Sequence, residues 1–156
     1  MTSIECLEAA ARVEDLAQSL YRALAIRYGD RPDLRELFSG LAMEEEQHAN
    51  RLRSLAQHPT NQDLSDASKA RLVRALNLME AELAALSRTG ADGRRLEDPD
   101  EILRGLVDFE CRSASIHAEY LAQDFAPGMQ SLFSALARKD RDHVELLRQA
   151  LNGRAG

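Results

Sequence analysis

The chain has 156 residues, 44% of them hydrophobic but only 4% aromatic, with no tryptophan and a formal net charge of −6. That length suits one domain, residues 1–156, with a real core, and a composition led by Ala, Leu, Arg and Glu with four prolines favours helices over β architecture. No Lys/Arg cluster stands unmixed with acids, which excludes a nucleic-acid footprint, and no uncharged stretch approaches the ~18 apolar residues of a membrane span.

The opening MTSIECLEAAARVEDL lacks a basic region and a continuous apolar run, so no secretory leader is expected. Cys6 and Cys111 are far apart and form no CxxC, which fits a reduced, cytoplasmic setting. A first helix is expected from about Ser3 to Tyr28, with a capping box between Thr2 and Glu5 and Gly29 at its end. A second follows from about Asp33 to Gln57, stopped by His58-Pro59. Residues 58–97 are too many for a tight turn. Leu72, Val73, Leu76, Met79, Leu83 and Leu86 recur there at helical spacing, so a crossover helix near 66–88 is expected, followed by a loop around Gly90–Gly93. A third bundle helix starts at Asp98, with Pro99 in its first turn and Glu101 returning to the cap, and runs to about Phe125. The fourth follows Pro127-Gly128 and continues to about Asn152. Short links within each helix pair and a long one between the pairs predict an all-α, ferritin-like four-helix bundle of two α-hairpins joined by a crossover.

The two halves repeat each other. LFSGLAMEEEQH at 37–48 and LFSALARKDRDH at 132–143 share six of twelve positions and both end in His. Each His follows an acid by three residues, Glu45 before His48 and Asp140 before His143. About thirty residues upstream of each acid lies another acid, Glu14 and Glu110. The heptad stripe Leu34, Phe38, Leu41, Glu45, His48, Leu52, Leu55 places the second-helix pair in an apolar seam. The same spacing runs through Phe133, Leu136, Asp140, His143 and Leu147, through Ala10, Glu14, Ala17 and Tyr21, and through Leu106, Glu110, Ser113 and His117. Glu44 is also one helical turn from His48, but the repeat offers Lys139 opposite it, so Glu45 is the expected inward acid.

An isolated carboxylate in a dry core costs several kcal/mol, and four at one level repel one another. Two divalent cations balance four carboxylates, and neutral imidazoles add ligands without adding charge. Two acids plus two acid-x-x-His pairs is the ligand layout of ferritin-like dimetal carboxylate proteins. Glu14, Glu45, His48, Glu110, Asp140 and His143 are therefore the expected metal residues. Tyr21 and His117 each lie seven residues past an outer acid. Each either donates a hydrogen bond or proton at the site or fills the core.

These residues resemble the rubrerythrin family over most of the chain apart from the crossover. Glu14-Asp-Leu-Ala-Gln-Ser-Leu-Tyr21 resembles the E-x6-Y of the family's first helix, LAMEEEQH its second-helix motif, and Glu110 with LARKDRDH degenerate forms of its third and fourth. The resemblance implies a di-iron centre with Glu14 and Glu110 as terminal ligands, Glu45 and Asp140 as bridges, and His48 and His143 each giving one nitrogen. It implies an oxidoreductase that reduces peroxide or dioxygen; manganese or a mixed pair also suits such ligands. The chain departs from the family at Asp140, which stands where the family has Glu and is roughly 1.5 Å shorter in reach; it either bridges both metals or serves one. Ser113 stands where rubrerythrin has an additional Glu. No four-cysteine rubredoxin module is present, so electrons would come from a separate donor protein. A ferroxidase or iron-storage role and a metal-depleted interaction module are the alternative functions, and a homodimer is the expected assembly.

Overall fold

The computed structural model describes residues 2–57, 65–88, 98–121 and 127–155. Five α-helices make up the described fold: α1 (Ser3–Arg27), α2 (Pro32–Gln57), α3 (Asp66–Arg88), α4 (Pro99–Ile116), which continues into a π-helical turn (His117–Leu121), and α5 (Pro127–Arg154). The crossover helix spans the segment that the Leu/Met spacing indicates. The expected stop at His58-Pro59, the Gly90–Gly93 loop and the helix end at Phe125 lie outside the described residues.

Local chemistry accounts for the helix starts. Thr2 and Glu5 form the reciprocal capping box, the Thr2 hydroxyl accepting from the Glu5 N–H at 3.2 Å and the Glu5 carboxylate accepting from the Thr2 N–H at 2.6 Å. At α4 the Asp98 carboxylate accepts from the Asp100 N–H at 2.9 Å. Glu101 is exposed and joins the cap through its own N–H to the Asp98 carbonyl, in place of the expected side-chain return. Helix α5 begins at Pro127 itself, because a proline in the first turn sacrifices only an N–H that has no intrahelical partner.

Helix α1 packs most extensively on α2, and α4 on α5. The four-residue link 28–31 makes the first pair an antiparallel hairpin. Helix α3 lies against both α1 and α4 and touches both hairpins. It approaches α4 so closely that a Cβ on Gly105 would stand 2.8 Å from Leu86 Cδ2. Arg112 pairs with Glu82 across the same contact. The interior is filled by Leu, Phe and Ala from every helix, with Phe38, Leu52, Leu103, Leu106, Phe133, Leu136 and Leu147 fully enclosed. Tyr21 and Tyr28 pack against Phe38 with ring centroids 6.3 and 5.9 Å apart. Among the described residues, no helix is long and apolar enough to cross a membrane.

The sequence periodicity carries the third bundle helix to Phe125 as regular α-helix, yet α geometry ends at Ile116 and a π turn follows. A widened turn changes the spacing of one residue only, so it leaves no mark on a heptad stripe. π turns inside helices concentrate at functional sites, and here the turn opens on His117.

Candidate metal centre

Among the described residues, eight buried polar side chains on the heptad seams meet at one level of the bundle: Glu14 from α1, Glu45 and His48 from α2, Glu110 and Ser113 from α4, His117 from the π turn, and Asp140 and His143 from α5. None is more than 4% exposed. All six expected metal residues and His117 are thus buried together, and Tyr21 is enclosed beside them.

Ligand atoms converge in two groups, Glu14 with Glu45 and His48, and Glu45 with Glu110 and His143, each within 4.8 Å. Glu45 belongs to both. Its Oε2 lies 3.1 Å from His48 Nδ1 and its Oε1 lies 3.1 Å from His143 Nδ1. The imidazole rings stack across it, centroids 5.6 Å apart. Glu14 Oε2 lies 3.8 Å from His48 Nδ1, and Glu110 Oε2 lies 3.5 Å from His143 Nδ1. Asp140 stands outside both groups. Its Oδ2 accepts from Ser113 Oγ at 2.9 Å and lies 2.6 Å from His117 Nδ1.

The surrounding polar groups orient these side chains. The Tyr21 hydroxyl donates to Glu110 Oε1. His117 Nε2 lies 3.4 Å from Glu14 Oε1. His143 Nε2 lies 3.2 Å from Glu44 Oε2, which in turn pairs with Lys139 at 3.5 Å. The sequence pattern sets Glu44 aside as a flanking acid. Its partner is 99 positions away on another helix, and nothing in local spacing signals that contact. Cys111 follows Glu110 in sequence but joins neither ligand group, as a helical neighbour about 100° around the axis should.

The electrostatics show what the centre demands. Burial, then the charges of Glu14 and Glu110, push the Glu45 carboxyl up to about 8. Burial alone would lower the His48 imidazole, but its bonds to Glu14 and Glu45 outweigh burial and raise it to about 9. For His143 the same contest, won by Glu110 and Glu45, raises it to about 12. His117 is held well above its ordinary range against burial, by the charge of Asp140 and its bonds to Asp140 and Glu14. Burial opposes ionisation of Glu14, yet bonds to His117 and His48 hold it well below the usual range. Burial and the nearby Glu110 charge push Tyr21 well upward, so its hydroxyl keeps its proton. Without a metal, protons on imidazoles and on Glu45 neutralise the carboxylates.

Two divalent cations would do the same through bonds. The donor set of carboxylate oxygens and imidazole nitrogens fits hard-to-borderline divalent metals. Among the described residues, Asp140 Oδ1 is buried with no hydrogen-bond partner, an expensive condition in a core unless a ligand completes it, and His143 Nδ1 meets Glu45 and Glu110 only as ion-pair contacts, at 3.1 and 3.5 Å.

Fold and site together define a ferritin-like all-α protein with a buried carboxylate–histidine centre able to hold metal. The rubrerythrin family model matches residues 5–86, just over half of the chain, and the chain belongs to that family. The match takes in Glu14, Tyr21, Glu45, His48 and most of α3, while α4 and α5 lie beyond it. Curated proteins and solved structures give no match.

Proposed function

We propose that the chain is a di-iron carboxylate protein that reduces peroxide or dioxygen with electrons from a separate donor protein. The observation that carries this reading is Glu45, whose two oxygens each face a different histidine at 3.1 Å while Glu14 and Glu110 close on either side. Glu14, Glu45 and His48 would hold one ion, and Glu45, Glu110 and His143 the other. When bound, a ferrous pair supplies the two electrons that, with two protons, split a peroxide O–O bond into two waters.

The chain's own residues do the remaining work. Leu41, Leu52, Leu106, Leu136 and Leu147 keep the centre dry, which strengthens every charge interaction inside it. Glu44 accepts from His143 Nε2 and so leaves Nδ1 as the nitrogen that faces the carboxylates. Tyr21 holds a proton at its hydroxyl, hydrogen-bonded to Glu110, within reach of a small substrate in the core.

Metal content per chain after anaerobic loading with Fe(II), followed by stopped-flow oxidation with hydrogen peroxide, tests the reading. About two irons are expected, oxidised in one fast phase. Glu45→Ala is expected to abolish both binding steps while the helical circular dichroism persists. A wild-type protein that retains no iron, or Glu45→Ala that oxidises Fe(II) as the wild type does, overturns the proposal.

A further inference from the structure

Asp140 occupies a ligand position in the sequence repeat, yet the structure surrounds it differently from Glu45, its counterpart. Its Oδ2 is committed to Ser113 Oγ at 2.9 Å and to His117 Nδ1 at 2.6 Å. The far nitrogen of the same ring lies 3.4 Å from Glu14 Oε1. Both ring nitrogens therefore face carboxylate oxygens, which fixes the plane of the ring between Asp140 and Glu14. The shorter side chain, by roughly one C–C bond of 1.5 Å, leaves Asp140 outside both groups of convergent ligand atoms.

The arrangement has a mirror in the other half. Tyr21, seven residues after Glu14, reaches across the bundle to Glu110. His117, seven residues after Glu110, reaches across to Glu14. Each outer carboxylate is thus oriented by a group from the opposite hairpin. On the His117 side that group is itself held by Asp140 and, through Asp140, by Ser113. Ser113 and Asp140, the two positions at which the chain departs from the family's ligand pattern, are hydrogen-bonded to each other.

Resting on the dimetal reading above, we propose that Asp140 is a positioning residue: it fixes His117, His117 orients Glu14, and five side chains, Glu14, Glu45, His48, Glu110 and His143, would hold the metals without it. The free oxygen of Asp140, Oδ1, is buried without a partner 4.0 Å from His48 Nδ1. It is an acceptor for a small protonated oxygen ligand on the Glu14 side, such as water, hydroxide or hydroperoxide.

Anaerobic titration with Co(II), followed by calorimetry and visible absorption, separates this from direct ligation. The wild type is expected to bind two Co(II) in two steps, one of which Glu14→Ala removes. Asp140→Ala and the isosteric Asp140→Asn are expected to keep both ions and to weaken that one step by 10–100-fold, the usual cost of losing a residue that orients a ligand. His117→Phe is expected to weaken the same step by a similar factor, and His117→Phe with Asp140→Asn no further, because the two act as one unit. An Asp140→Asn protein of native helicity that binds one Co(II), or in which both steps weaken together, overturns the inference, as does an additive double variant. A wild type that binds no Co(II) overturns the dimetal reading and this inference with it.

Discussion

Metal binding should expel about three protons from the core at pH 7. Glu45, His48 and His143 each face the convergent ligand positions, and they bind protons in the metal-free protein up to about 8, 9 and 12 respectively. At pH 7 these values leave Glu45 about nine-tenths protonated and both imidazoles almost fully so. Metal ligands must be deprotonated, so filling both sites displaces roughly 0.9, 1 and 1 protons. At pH 9.5 Glu45 has already ionised and His48 is about one-quarter protonated, which reduces the release to roughly one proton, from His143. The assay is calorimetric titration of the metal-free protein with Mn(II) or Co(II) in buffers of different ionisation enthalpy. The slope of observed heat against buffer enthalpy is the proton count. The apparent affinity should also rise steeply between pH 6 and 8, since each displaced proton contributes tenfold per pH unit below its pKa. A slope near zero at pH 7 would refute the reasoning, because it would mean the core is neutralised without protons on these three groups.

The same groups set the pH dependence of the metal-free fold. His48 and Glu45 bind protons more tightly in the native chain than in the unfolded one, so the stability they contribute is fully present below their unfolded values of about 6.5 and 4.5 and is lost as pH rises through about 9 and 8. The metal-free melting temperature should therefore fall from pH 6 to pH 9.5, and a rising or flat profile by differential scanning calorimetry would contradict the assignment. Phe38 is fully enclosed between Tyr21 and Tyr28. Phe38→Ala should cost about 3–5 kcal/mol in urea unfolding, and a loss under ~1 kcal/mol would show that the pocket collapses without harm.

Much of the bundle was legible because helix period and capping are local. The Thr2–Glu5 box, the crossover helix and the inward positions of Glu45, His48, Glu110, Asp140 and His143 follow from spacing alone, and all are found where spacing puts them. What spacing cannot report is how far one hairpin slides along the other. That stagger decides that His143 meets Glu44 and that His117 reaches Glu14. The missing methylene of Asp140 is legible in the sequence, but its partners are not: Ser113 and His117 hold it outside both ligand groups. The π turn escaped for the same reason: it alters geometry without altering the pattern of apolar residues.

The two hairpins repeat a motif, and each gives half of one centre. Two identical hairpins paired about a two-fold axis would build such a centre from a chain half as long, but symmetry would then force every change to occur twice. Asp opposite Glu, or His117 opposite Tyr21, is unavailable to that assembly. Joining the halves through α3 frees them to diverge. The crossover helix thus does more than link the hairpins: it gives each side of the centre its own history of substitution, and it makes two unlike metal positions attainable within a single chain.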